Sequence, residues 1–398
     1  MDFEQKLIDS MKYKNIVKHS LPGRDELLLY LHGLFMFTGR VGIEFCNNFL
    51  FEGIQLMINS IFLYEQGYFD CAFYSVRQAS EVFDTMLYLS NSKEELENWN
   101  LKQFNKLDSH IKNKLDKMAE GYSEIKNELK DFFEYHRKLI KKSNKILHKQ
   151  GFECFYMIRC EKKIDYTKEI NLFLDTLKYT IGMCIIIYVI LDPLSILYLD
   201  EDADRRLPFN YATERIDLDY FNDYLKLEDI KPKILESKFF LDFKKQFYCN
   251  EPMNDAVLNV VRFQFWDVEC LNDIKDQLRF LSTFETCMYY ILEKGIYVLN
   301  FYRCSGLIEY STSYDRSFYR DDFMKSTFEQ YTNNIHRFNQ PYKNVYVSVI
   351  TVFDEKIYIE HSSRLSDSEI EYLCSTEDNA NKAFNLYKTI VNRRSNET

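Results

Sequence analysis

At 398 residues the chain exceeds what one hydrophobic core usually supports, so two domains are expected, each large enough to bury a core of its own. Only 11 Gly and 6 Pro are present, well under the roughly 7% and 5% of average usage, which excludes an all-β chain of many short turns and favours long helices. The net charge of −10 excludes a generally basic, nucleic-acid-coating protein and leaves room for a local basic site.

Met1 to Lys18 reads as an amphipathic helix, polar and mixed in charge, with no apolar run of secretory type. Leu21-Pro22-Gly23 ends it, and a second helical segment follows from about Asp25 to Phe37. Thr38-Gly39-Arg40 and Gly42 read as a turn. From Gly53 to Leu89 come two helical patterns broken only around Gly67, and the rest of the chain is organised about this hairpin. Ile54, Met57, Ile58 and Ile61 recur at helical spacing in its first limb, and Ala72, Val76, Ala79, Phe83 and Met86 do so in its second. At about 100° per residue, Tyr74, Arg77, Glu81, Asp84 and Tyr88 collect on the other side of that second limb, where Arg77 and Glu81 can pair at i and i+4. Ser92-Lys93-Glu94-Glu95 has the pattern of a capping box and opens a further helix. More helix is expected from about Leu101 to Met118, from Ser123 to about His148, and from Thr167 to Leu191, where Pro193 stops it. The run Tyr179 to Leu191 is too short to span a bilayer by itself, so a buried core helix is expected, with a membrane segment as the rival.

Residues 1–200 thus read as an all-helical bundle. From Asp200 the composition turns polar and charged with little periodicity, which places the domain boundary there and makes residues 201–398 the second domain. In that half Ile274, Leu278, Leu281, Phe284, Met288 and Ile291 form a helical stripe ending near Gly295. Strand signals follow. Ile296 to Tyr302 pairs with Leu307 to Tyr314, and Val345 to Phe353 meets Lys356 to Glu360 across Asp354-Glu355, giving a short antiparallel sheet. A helix from about Asp321 to Arg337 lies between the strand pairs, and Ser366-Asp367-Ser368-Glu369 is a second capping-box pattern opening C-terminal helix. The fold class is mainly α, with a smaller α+β region after the bundle.

The ten Cys are scattered without any CxxC, and the seven His without paired spacing, so neither a zinc module nor a redox pair is signalled. No metal and no cofactor is called for. Scattered thiols fit a reducing cytosol, so a cytoplasmic protein is expected. No glycine-rich phosphate loop and no Gly-x-Ser-x-Gly occurs. The aromatic stretch YSTSYDRSFYRDDF reads as packing, or else as a partner-binding surface.

The most informative polar stretch is His136 to Lys149. It holds Arg137, Lys138, Lys141, Lys142, Lys145 and Lys149, with no carboxylate between Tyr135 and Phe152. On one helix, Phe132, Tyr135, Leu139 and Ile146 share the buried side, and Arg137, Lys141, Asn144 and His148 share the other. Such a groove suits a phosphodiester: cations neutralise the phosphate, and an imidazole moves a proton to or from a ribose hydroxyl or leaving oxygen. The bland reading is a solvated basic face, and for Arg77 with Glu81 a structural ion pair.

The hairpin FLYEQGYFDCAFYSVRQASEVFDTMLYL, followed by SNKILHKQGF in an all-helical setting, resembles the HEPN superfamily, particularly its abortive-infection-like branches, over about residues 45–195. Active members of that superfamily are metal-independent RNases that carry an Arg, four to six residues and a His on one helix, and they commonly work as dimers. The resemblance therefore implies a defence or toxin role, RNA as partner and a homodimer. His148 matches the motif's His as acid/base and Asn144 its interior polar residue, orienting substrate. The positions open to the Arg are Ser143, Lys142 and Lys141; a lysine keeps the charge but loses the planar fork. Lys141 or Lys142 then serves as phosphate clamp, with Arg77, Glu81 and Arg137 in support. The alternatives are a non-catalytic module docking RNA, a nucleotide or an acidic protein, and a purely structural scaffold. Residues 201–398 are expected to sense or restrain the first domain.

Overall fold

The computed structural model describes residues 20–40, 42–119, 121–155, 166–197, 200–207, 213–219, 225, 230–314, 337–342 and 344–395. The helix expected over Met1 to Lys18 lies outside these, as does nearly all of the one expected from Asp321 to Arg337. The chain forms two compact units, Met1–Asn250 and Glu251–Thr398.

The first unit is all-helical. Its elements are α1 (Arg24–Gly33), α2 (Cys46–Glu65), α3 (Phe69–Ser90), α4 (Lys93–Asn100), α5 (Asp108–Met118), α6 (Tyr122–Glu128), α7 (Lys130–Leu147), α8 (Tyr166–Leu191), α9 (Glu201–Arg206), α10 (Ile230–Leu235) and α11 (Lys238–Asn250). The hairpin α2–α3 is its centre, turned at Gly67 in a left-handed backbone (φ 85°) that glycine adopts without strain. Both apolar stripes are buried as their spacing predicts. The limbs approach closely because Gly53 has no side chain: a Cβ there would stand 2.3 Å from the Phe83 ring. Helix α8 completes the core, its Phe173 ring stacking on Tyr64 at 4.1 Å. Among the described residues α8 is the one helix long and apolar enough to cross a membrane, and most of it is buried inside this unit.

Several boundaries differ from expectation. Helix α4 ends in a left-handed residue, Lys102 (φ 59°), with Gln103 N–H returning to the Asn98 carbonyl, so the helix expected from Leu101 starts only at Asp108. The helix expected from Ser123 to His148 is interrupted at Leu129 (φ −100°, ψ 31°), whose side chain is buried. The polar stretch after Asp200 is not a linker. Asp192, at the end of α8, accepts hydrogen bonds from the hydroxyls of Thr38 (2.7 Å) and Thr213 (2.8 Å), and Glu214 N–H donates to the Phe37 carbonyl (2.8 Å). Ala203, Ile216, Ile234 and Phe240 join the same core. The boundary expected at residue 200 therefore falls at Asn250, because polar composition hid alternate apolar residues that pack inward.

The second unit contains α12 (Asp255–Phe263), β1 (Phe265–Trp266), α13 (Thr283–Glu293), β2 (Val298–Arg303), β3 (Ile308–Thr312), β4 (Gln340–Tyr342), β5 (Val345–Val352), β6 (Glu355–His361) and α14 (Asp367–Ser395). The sheet order is β1-β3-β2-β6-β5-β4. The expected antiparallel pairs form, with Phe301 opposite Tyr310 and Ile350 opposite Ile357. Phe353 (φ 55°) and Asp354 (φ 68°) make the mirror-image turn that suits a two-residue hairpin. The sheet is mixed, because β1 pairs parallel to β3. The stripe from Ile274 to Ile291 is broken rather than continuous: Ser282 and Glu285 form a capping box that restarts the chain as α13. Met288 and Leu292 of that helix pack in one core with Ile350, Val352, Ile357 and Leu373.

Candidate functional site

Helix α7 buries Phe132, His136, Leu139, Ser143 and Ile146, spaced by three and four residues along one stripe. Tyr135, expected inside, is 37% exposed, and its hydroxyl donates to Asp175 of α8 (3.1 Å). His136 takes the buried place instead. Facing solvent are Arg137, Lys138, Lys141, Lys142 and Lys145, and none of them has an ion pair among the described residues. His148, the first residue beyond the helix, is exposed too, with its backbone N–H donating to the Asn144 carbonyl at 2.9 Å.

At about 100° per residue Arg137, Lys141, Asn144 and His148 fall within an arc of about 60°, which at about 1.5 Å per residue makes a row roughly 16 Å long. Lys138 and Lys145 lie beside it, both on the Lys141 side. Lys142 does not: it lies about 120° from His148, so of the two lysines expected to clamp phosphate only Lys141 stands in the row. Ser143, the third motif position, is fully buried and donates to the Leu139 carbonyl of its own helix (3.1 Å), leaving no room for a guanidinium.

The chain reverses after α7. Lys149 adopts a left-handed backbone (φ 52°) and its ammonium pairs with Asp70, tying the end of α7 to the start of α3. Gly151 (φ 103°) then turns into a short 3₁₀ segment, Phe152–Cys154. There Phe152 is 76% and Phe155 44% exposed, with ring centroids 5.7 Å apart. Tyr68 and Tyr74, at the start of α3, are exposed as well. The sequence signal for these rings, GFECF directly after the basic run, was there to be used.

Asp70, Arg77 and Asp84 recur every seven residues and so form one line along α3. Asp70 meets Lys149 beyond the end of α7, and Asp84 lines the same cavity as His136 and Arg137 near its middle, so α3 and α7 run antiparallel and Arg77 lies at the level of Ser143. Arg77 is engaged by its own helix: Nε and a terminal nitrogen donate to one oxygen of Glu81 at 2.9 and 2.6 Å. The polar face expected on α3 is largely enclosed, with Asp84 and Tyr88 buried.

A cavity of about 490 Å³ opens between α5, α6 and α7, with Asp84 of α3 and Met183 of α8 in its wall. Asp84 is 1% exposed. Lys112 of α5 stands 3.3 Å from its Oδ2 and also donates to Asp108 (2.9 Å), yet neither oxygen of Asp84 receives a hydrogen bond among the described residues. Burial pushes its carboxyl up to about 6 against the pull of Lys112. Burial likewise drives His136 down to about 3, with Lys112 adding to the effect. Its Nε2 is 3.4 Å from the Thr180 hydroxyl, which itself donates to the Thr176 carbonyl (2.8 Å). A buried acid and a buried imidazole in one cavity carried no signal in the sequence, because neither belongs to a motif. Compared with models of protein families, with curated proteins and with solved structures, the chain gave no match, so the functional reading rests on these residues.

Proposed function

We propose that the first unit binds single-stranded RNA along the outer face of α7, with Phe152 and Phe155 as stacking platforms at its end. The observation that carries this reading is the row of cations without carboxylate partners, running into two exposed phenyl rings, in a chain of net charge −10. The cations repel one another. Arg137 with Lys141, Lys138 with Lys142, and Lys141 with Lys145 are like-charge pairs at i and i+4, each destabilising by roughly 0.2–0.5 kcal/mol. A polyanion relieves that repulsion while releasing counterions, and aromatic faces accept any base by stacking.

Titrating a labelled single-stranded oligoribonucleotide at several salt concentrations tests this. Three to four phosphate contacts give a log–log salt slope of about −2 to −3. Lys141→Glu with Lys145→Glu should reduce that slope by about 1.4 and weaken binding, and Phe152→Ala with Phe155→Ala should weaken binding with little change in slope. Unchanged affinity in both double variants sinks the proposal.

Cleavage is the second reading, and the exposure of His148 in line with Lys141 and Asn144 favours it. Against it stand the burial of Ser143 and the engagement of Arg77 by Glu81. Scission on this reading is metal-independent, with His148 as acid/base and a second copy of the chain supplying the facing His148. Incubation with RNA in EDTA, beside His148→Ala, decides between the readings: scission that needs His148 supports the enzyme, and binding without scission supports the module.

A further inference from the structure

The cavity beside α7 shares only Arg137 with the RNA-binding row, and its chemistry points to a different ligand. We infer that it is a binding site for a small phosphorylated polyol of sugar-phosphate size. A volume of about 490 Å³ lies within the range of small-molecule sites. On its wall sits the Asp84 carboxylate, buried, with Lys112 3.3 Å from Oδ2 but no hydrogen bond to either oxygen among the described residues, so a ligand entering here meets one oxygen with no partner and one held only by that ion pair. Hydroxyl groups suit them better than an ammonium group, because Lys112 already stands 3.3 Å from Oδ2 and would repel a second cation.

The rim specifies the other end. Lys130 and Arg137 are exposed there without ion pairs among the described residues. Asp116, also on the rim, is already held by Lys126 at 2.7 Å, leaving Glu134 as the opposing charge and a net positive opening. An Arg fork and a Lys ammonium together suit a phosphate monoester, which offers three acceptor oxygens. Asn113 and Asn127, exposed between rim and wall, supply amide donors and acceptors for intermediate hydroxyls.

The test uses the full chain with ribose 5-phosphate and glucose 6-phosphate as probes and with free ribose and inorganic phosphate as controls, read by titration calorimetry. The expected result is saturable binding of at least one sugar phosphate, at least tenfold tighter than either control. Asp84→Asn should weaken it at least tenfold. Asn127→Trp, which narrows the opening from an exposed position, should do the same without touching the buried carboxylate. Oligoribonucleotide binding should be unchanged in both, and Lys141→Glu with Lys145→Glu should leave sugar-phosphate binding intact, so the two sites fail separately. No binding of either sugar phosphate at millimolar concentration, or binding that ignores both variants, overturns the inference.

Discussion

Replacing Asp84 by Asn gives the sharpest test of how α3 meets the cavity, because the effect has a size that changes with pH in a direction the fold fixes. Asp84 titrates near 6 in the fold against an ordinary 3.8. A carboxyl held above its ordinary value binds its proton more tightly when folded, so the folded state gains nothing below 3.8, loses ground as pH rises, and carries the full penalty above 6. At 1.36 kcal/mol per pH unit that penalty is about 3 kcal/mol. His136 works the other way: lowered from 6.5 to about 3, it stays neutral in the fold while the unfolded chain takes up a proton. Stability is therefore lost as pH falls from 6.5 towards 3, by up to about 5 kcal/mol. Between pH 4 and 6 the two slopes oppose and nearly cancel in the unaltered chain. Asp84→Asn removes one of them. Relative to the parent, its stability should rise by about 3 kcal/mol from pH 4 to pH 7 and then level off. His136→Gln should show the reverse trend, its advantage over the parent shrinking as pH rises to 6.5. Urea unfolding followed by Trp99 fluorescence reads this in the first unit, where Trp99 packs on Phe49 at 5.0 Å; a Trp266→Phe background silences the buried indole of the second unit. A stability difference for Asp84→Asn that stays constant from pH 4 to 7 refutes the reasoning, since the carboxyl would then titrate as if water reached it.

Other consequences are simpler. Gly53→Ala places a methyl 2.3 Å from the Phe83 ring and should destabilise the first unit by about 1–3 kcal/mol despite the better helix propensity of Ala, measured by the same urea titration. Thr213→Val removes one of the two hydroxyl donors to the buried Asp192 and should cost about 1–3 kcal/mol in the Trp99 signal; an effect confined to Trp266 would contradict the assignment of residues 213–219 to the first unit. Asp354→Gly, at φ 68° in the β5–β6 turn, should stabilise the second unit by up to about 1 kcal/mol, read by Trp266 fluorescence. Arg77→Lys loses the two-point contact with Glu81 but only a partly exposed pair, so less than about 1 kcal/mol should be lost, with RNA affinity unchanged.

Periodicity carried much of the fold. The stripes of α2 and α3, the long apolar α8 and the β5–β6 hairpin all have one face that must be buried, and spacing alone reveals such a face. What spacing could not reveal was where backbone geometry overrides it. Lys102 and Leu129 interrupt helices without any Gly or Pro to mark them, and Ser282 restarts one inside an unbroken apolar stripe. The domain boundary was misplaced for a related reason. Residues after Asp200 are polar on average, yet Ala203, Ile216 and Leu218 are buried, and a mean over composition cannot show which few side chains point inward. At the candidate site the exposed row on α7 was legible as amphipathicity, whereas the cavity was not, since Asp84, Lys112 and His136 come from three helices far apart in sequence.

Those three α3 residues spaced by seven also separate structural charge from charge with another purpose. Asp70 meets Lys149, and Arg77 meets Glu81; both pairs are partly exposed, and such pairs contribute at most about 1 kcal/mol. Asp84 has the most sheltered position of the three and the least satisfied chemistry, with Lys112 shared with Asp108 and both oxygens short of donors. A leucine of similar size would remove a penalty of about 3 kcal/mol at neutral pH and fill the wall with apolar surface. A fold optimised for stability alone gains nothing from this carboxylate. The same defect becomes an asset once hydroxyl donors occupy the cavity, because hydrogen bonds to a buried charged group that has already lost its water are stronger than those made at the surface. The pH profile and the sugar-phosphate titration therefore probe one property from two sides: the free protein should be most penalised at the pH where the ionised Asp84 is best able to receive a ligand.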